Sequence, residues 1–108
     1  MSESLEKKEY YTNLFDFYES LFTDKQIEYF KEYYFYDLSL SEIAENHEIS
    51  RAAVHDVISK MHSALDDYEE KLGLLNKYNR INSLCEEYEK KTNNQDLQEF
   101  TKKIKEII

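Results

Sequence analysis

The stretch Ser39 to Ile58, SLSEIAENHEISRAAVHDVI, decides the fold of this chain. Ser39 followed three residues later by Glu42 has the spacing of a capping box, in which each side chain satisfies a backbone amide of the other. About two turns of helix follow, to His47. Ile49-Ser50 then interrupts the pattern, and Ser50 is suited to cap a second helix beginning at Arg51. Where two short helices meet steeply at a tight turn, their contact admits only a small residue, and Ala44 stands at that position. Ile43, Ile49, Val54 and Val57 fall where they would lock the pair against a preceding helix. The spacing therefore predicts a helix-turn-helix over about residues 39–60. A major-groove reader presents side chains near the start of its second helix. Ser50, Arg51, Ala52, His55, Ser59 and Lys60 are accordingly the candidate nucleic-acid-binding residues.

The turn departs from the usual pattern. Such motifs commonly place glycine where the chain turns left-handed, whereas this sequence has His47 and Glu48. A non-glycine residue at positive φ costs on the order of 1 kcal/mol. The turn is therefore either strained or differently shaped.

Working outward, Thr23-Asp24-Lys25-Gln26 is a second capping box. It opens a helix with Ile27, Phe30, Tyr33 and Tyr34 on its buried side, broken at Asp37 to Ser39. Upstream, Tyr11, Leu14, Phe15, Tyr18 and Leu21/Phe22 recur at three- and four-residue steps, predicting a helix from Leu5 to Leu21. Downstream, the pattern begun at Arg51 runs through Ile58, Met61, Leu65, Tyr68 and Leu72 to Gly73. Leu74, Tyr78, Ile81, Cys85 and Tyr88 predict a further helix. Thr92-Asn93-Asn94 forms the clearest loop, and Asn93 with Asp96 predicts the cap of a last helix carrying Leu97, Phe100, Ile104 and Ile107.

Composition supports the same class. The 108 residues include no proline and one glycine, and sheets with many corners need both. The expected fold is all-α: a helix-turn-helix bundle, winged-helix-like or sigma region 4-like, with extra C-terminal helices. Residues 1–73 would hold the helix-turn-helix domain and residues 74–108 a C-terminal extension, together one compact unit.

From Thr23 to Lys60 the sequence TDKQIEYFKEYYFYDLSLSEIAENHEISRAAVHDVISK resembles region 4 of bacterial sigma factors. More closely, it is similar to the YlxM-like family of small bacterial helix-turn-helix proteins, and the similarity continues through DDYEEKLGL and the C-terminal helices. This resemblance implies a DNA-binding fold and a regulatory role in the signal recognition particle pathway, the latter inferred from gene neighbourhood with the particle's GTPases. The particle's GTPase or RNA are thus expected partners beside DNA. The alternative is a sequence-specific DNA-binding transcriptional regulator acting as a dimer.

Charge opposes tight DNA binding. The net charge is −9, from 14 cations and 23 anions, and residues 39–63 hold only Arg51 and Lys60 against Glu42, Glu45, Glu48 and Asp56. Three phosphate contacts would give a salt slope of about −3, against 6 to 10 contacts in typical tight binders. A monomer is expected to bind DNA weakly. An acidic surface also suits a basic protein partner, and tyrosines beside Arg51 and His55 match the composition of interfaces.

Other chemistries find no support in the sequence. His55 and His62 lie two turns apart with no carboxylate in a known ligand spacing beside both, so no metal or cofactor is expected. No nucleophile–base pair or glycine-rich phosphate loop is recognisable, so no enzyme activity is expected. Lone Cys85 permits no internal disulfide, and no apolar run or signal pattern marks a membrane span or export. These features place the chain in the cytoplasm. The C-terminal apolar stripe exceeds what a three-helix domain needs to cover itself, which predicts a homodimer through those helices.

Overall fold

The computed structural model describes residues 4–108, so the first three residues of the expected 1–73 domain lie outside the described ones. Six α-helices form among the described residues: α1 (Leu5–Tyr18), α2 (Asp24–Tyr34), α3 (Leu40–His47), α4 (Arg51–Leu72), α5 (Leu74–Lys91) and α6 (Gln95–Ile107), with a 3-10 turn at Glu19–Leu21 after α1. No strand occurs among the described residues, so no β-wing accompanies the helices. The all-α fold expected from composition is the fold found. The chain divides into two compact units, Met1–Leu72 and Gly73–Ile108, against the single one that its length suggests. Gly73 stands at the division in the left-handed conformation (φ 62°), which a glycine adopts without steric cost.

In the first unit, α4 is the central strut: α1, α2 and α3 all pack against it, and α2 also packs on α3. Leu14, Phe15 and Tyr18 of α1, Phe30 and Tyr34 of α2, and Met61 and Leu65 of α4 are buried. Phe15 stacks on Phe30 with centroids 4.1 Å apart. A second cluster, Tyr29, Ile43, Ala44, Val54 and Ile58, holds the helix-turn-helix together, with Ile49 and Val57 packed against it. Every position expected to lock the motif lies in or against that cluster. Tyr29, which the sequence pattern leaves off the buried side of α2, is buried, while Leu21 is exposed. The backbone departs from α-helical angles at Tyr18 (φ −114°, ψ 7°), and Leu21 lies in the 3-10 turn that follows.

Local chemistry fixes the helix ends. Thr23 and Ser39 each form the complete capping box with Gln26 and Glu42. Ser50 Oγ accepts from Ala53 N at 3.0 Å at the start of α4. Glu48 occupies the left-handed region (φ 55°, ψ 42°). Its N–H donates to the Glu45 carbonyl and that of Ile49 to the Ala44 carbonyl, at 3.3 and 3.0 Å. This is a Schellman ending, so the turn has its ordinary shape with a strained residue in it. Asp37, before α3, is also left-handed (φ 54°).

In the second unit, α5 and α6 pack side by side around buried Cys85 and Thr101. The cap of α6 is Asn94, whose Oδ1 accepts from Asp96 N and Leu97 N. It stands one residue beyond the expected Asn93. Thr92 Oγ1 accepts the Asn94 amide and orients that cap.

Candidate nucleic-acid interface

Val54, Ile58, Met61 and Leu65 face the core along α4, which turns the intervening residues outward. Ser50, Arg51, Ala52, His55, Ser59 and Lys60 are all exposed. They do not share one role. Arg51, His55 and Ser59 line a groove of about 810 Å³, whereas Ser50, Ala52 and Lys60 lie outside its lining. Ser50 is occupied with capping. Lys60 is paired with Asp56 one turn back at 2.9 Å, an exposed ion pair of the kind that contributes little.

The opposite wall of the groove comes from elements the sequence does not connect to the motif. Lys7 and Lys8 reach it from α1, Tyr33 and Tyr34 from α2, and Asp37 to Glu42 from the loop and first turn of α3. Asp37 pairs with Lys8 at 3.1 Å. That contact ties the loop before α3 to α1 across 29 residues. The left-handed backbone at Asp37 follows the end of α2, where the Phe35 and Tyr36 amides both donate to the Lys31 carbonyl. A count of charges within residues 39–63 misses Lys7 and Lys8 altogether. The groove gathers Lys7, Lys8 and Arg51 against Asp37 and Glu42, a small cationic excess within an acidic molecule.

The capping duty of Glu42 strengthens its acidity. The Ser39 backbone N–H donates to its Oε1 at 3.0 Å, and this with the Ser39 hydroxyl holds its carboxyl below the ordinary carboxylate range. The start of α3, with Ser39, Leu40, Ser41 and Glu42, lines the groove, and its helix end is closed by the Ser39–Glu42 capping box.

The three histidines differ. His55 is exposed in the groove. His62, two turns on, is half-buried: it stacks on Tyr11 with centroids 4.1 Å apart and hydrogen-bonds the Tyr34 hydroxyl. His47 is enclosed between Glu32 and Tyr29. Of the three, only His55 is solvated. The juxtaposition of Glu28 and Glu32 with His47 was also not apparent in the sequence. Its one signal was a Glu-x3-Glu spacing on α2, with the histidine 15 residues further on.

In chemical terms the site can present a cation, an imidazole and a hydroxyl from one helix end, flanked by the lysines of α1. No helix among the described residues is long and apolar enough to cross a membrane.

The chain is 50% identical over 82 residues to UPF0122 protein GK1195 of Geobacillus kaustophilus (strain HTA426), covering 76% of this chain and 74% of that one. It is 53% identical over 75 residues to UPF0122 protein YlxM of Bacillus subtilis (strain 168), covering 69% and 68%. A UPF0122 protein of Lactococcus lactis subsp. cremoris (strain MG1363) is 48% identical over 87 residues, covering 81% and 78%. Residues 5–107 match the UPF0122 family, described as "Putative helix-turn-helix protein, YlxM / p13 like". The chain belongs to that family.

Proposed function

We propose that the protein is a non-enzymatic regulator that binds duplex DNA with the N-terminal end of α4 in the major groove. Arg51, Ala52, His55 and Ser59 would face the bases. Lys7, Lys8, Lys60 and the start of α3, where Ser39 and Ser41 line the groove, would meet phosphates, while Ser50 holds the helix end. The observation that carries this reading is the convergence of Lys7, Lys8 and Arg51 on one groove beside His55. Phosphate contacts position and base contacts specify, and this arrangement separates the two duties. Three cationic phosphate contacts give a salt slope of about −2.7, still shallow for a helix-turn-helix protein. Fluorescence anisotropy with random duplex at ~50 mM salt is expected to show weak binding by the monomer. Sub-micromolar affinity would contradict that weakness, and a salt-independent signal would contradict the site.

Dimerisation would double those contacts. Leu84, Phe100 and Ile107 of the second unit are 55%, 59% and 84% exposed, an apolar surface suited to a second copy. Two copies related by a two-fold axis would address two half-sites. Light scattering at micromolar concentration that returns a 13.1 kDa particle would exclude this dimer.

A second reading is favoured by the same groove, because Tyr33 and Tyr34 line it with Arg51 and His55. Such an aromatic and cationic mixture is enriched at protein interfaces. With the net charge of −9 it suits a basic partner, and the family resemblance points to the GTPase or RNA of the signal recognition particle in the cytoplasm. Failure to retain either component in a pull-down would remove this reading and leave the DNA one standing.

A further inference from the structure

On the other side of the helix-turn-helix corner, Glu28 and Glu32 lie one turn apart on α2, so their carboxylates share a face. The last residue of α3, His47, closes on them. Its Nε2 stands 2.6 Å from Glu32 Oε2 and 3.8 Å from Glu28 Oε1. One donor atom from each of the three side chains can be chosen so that all lie within 4.8 Å of one another. This is not a loose surface cluster. The His47 and Glu32 side chains are only 9% and 15% exposed, and Glu28, at 50%, opens the group to solvent on one side. Tyr29 meets the His47 ring edge-on at 4.6 Å and restrains its plane. The cation beside the group is Lys25, 3.6 Å from Glu28, with its ammonium over the Tyr29 ring.

We propose that Glu28, Glu32 and His47 form a binding site for a divalent transition-metal ion of the zinc type. An imidazole with two carboxylates is a donor set for zinc, manganese or iron, whereas calcium takes 6–8 oxygen ligands, and magnesium a nearly ideal octahedron. Tetrahedral zinc with bonds of about 2.0–2.2 Å sets its ligand atoms roughly 3.4 Å apart. The 2.6 Å contact must therefore open and the 3.8 Å contact close, each by less than about 1 Å, and the half-exposed Glu28 side chain has that freedom. The ion would take the lone pair of Nε2, and any proton on that nitrogen would pass to water. The fourth position would hold a water on the Glu28 side. With the imidazole neutral the three groups carry two negative charges, which a divalent ion cancels. This site lies outside the Arg51 groove and does not depend on the DNA reading. Its consequence is local: an ion there would join α2 to the end of α3, next to the strained Glu48.

The test uses the full chain and ZnCl2. Calorimetric titration is expected to show one equivalent bound, and Zn2+ at a hundredfold over its Kd should raise the thermal midpoint by roughly 10 °C. The neutral variants E28Q and E32Q, which keep side-chain shape, should each weaken binding at least tenfold, and H55Q should leave it unchanged. Because H47A could disturb the partly buried corner, Co2+ absorption in H47Q supplies a second readout: the band of an imidazole-ligated ion should disappear. No zinc-dependent rise in the midpoint, or unchanged affinity in the E28Q/E32Q double variant, overturns the proposal. So does binding that is lost in C85S but kept in that double variant.

Discussion

The Tyr18 hydroxyl donates to Glu69 Oε1 at 2.7 Å, joining the last residue of α1 to the distal half of α4 across 51 positions of sequence. The ring of Tyr18 is buried while its tip reaches a half-buried carboxylate, so one side chain supplies both core area and a charge-assisted hydrogen bond. Replacing Tyr18 by Phe keeps the first and deletes the second. The expected loss is about 1–2 kcal/mol of stability, smaller than the ~2–5 kcal/mol for Met61→Ala, which opens a cavity in the same core. Urea denaturation followed by circular dichroism checks both values. A Tyr18→Phe variant as stable as the parent would show that the bond adds nothing to the packing.

Glu48 holds a backbone conformation that glycine adopts freely. Glu48→Gly removes the left-handed penalty of about 1–2 kcal/mol, offset in part by the entropy that glycine gains when unfolded. A net stabilisation of roughly 0.5–1 kcal/mol is expected. The Schellman bonds from Glu48 and Ile49 involve only backbone groups, so the turn should survive the change. Thermal unfolding decides it: a lower midpoint would mean that the Glu48 side chain contributes more than its backbone costs.

Local signals made most of the fold legible from sequence, and non-local ones hid half of the site. Thr23 with Gln26 and Ser39 with Glu42 marked helix starts because a capping box is complete within four residues. Ile43, Val54 and their neighbours were readable because helical periodicity assigns faces without reference to a partner. The shift of the last cap from Asn93 to Asn94 lies within a run of capable residues, where Thr92 selects between them through a contact that spacing does not show. Lys7 and Lys8 could not be assigned to the groove by any local rule, since α1 reaches it only through packing on α4 and the Lys8–Asp37 pair. The surroundings of His47 are hidden from spacing for the same reason. Its carboxylate neighbours belong to the preceding helix, not to its own.

The second unit carries an acid-sensitive contact. Glu89 accepts from the buried Thr101 hydroxyl at 2.7 Å and from Lys105 Nζ at 3.0 Å. The Thr101 bond first, then the Lys105 bond, holds its carboxyl below the ordinary value near 4.5. The hydrogen bond to Glu89 in turn holds the Lys105 ammonium above its usual range. A carboxyl depressed in the folded state binds fewer protons there than when unfolded, so its contribution is complete above about pH 4.5 and is lost as pH falls through the lower folded value. The α5–α6 pair of the full chain should therefore loosen at acidic pH, and Glu89→Gln should flatten that dependence. Following Thr101 by NMR through denaturant titrations at pH 6 and pH 3 tests the sign. Equal sensitivity in parent and variant would locate the acid response elsewhere.

Arg51 and Lys7 reach the same groove from different helices, and the DNA reading gives them different duties. Arg51 stands on the first turn of α4, so Arg51→Ala should weaken binding and reduce discrimination between sequences, by about 1–3 kcal/mol where it contacts a guanine. Lys7 stands on α1 and can meet only the backbone. Lys7→Ala should weaken all duplexes alike and make the salt slope shallower by about 1. The slopes distinguish the two more reliably than the affinities, because a general loss of folding would lower affinity without changing the number of ions released. Anisotropy titrations from ~50 to ~200 mM salt on two unrelated duplexes supply the comparison. If Lys7→Ala leaves the slope of the parent, Lys7 makes no phosphate contact, and an unchanged slope in Lys7→Ala/Lys8→Ala as well removes α1 from the DNA site.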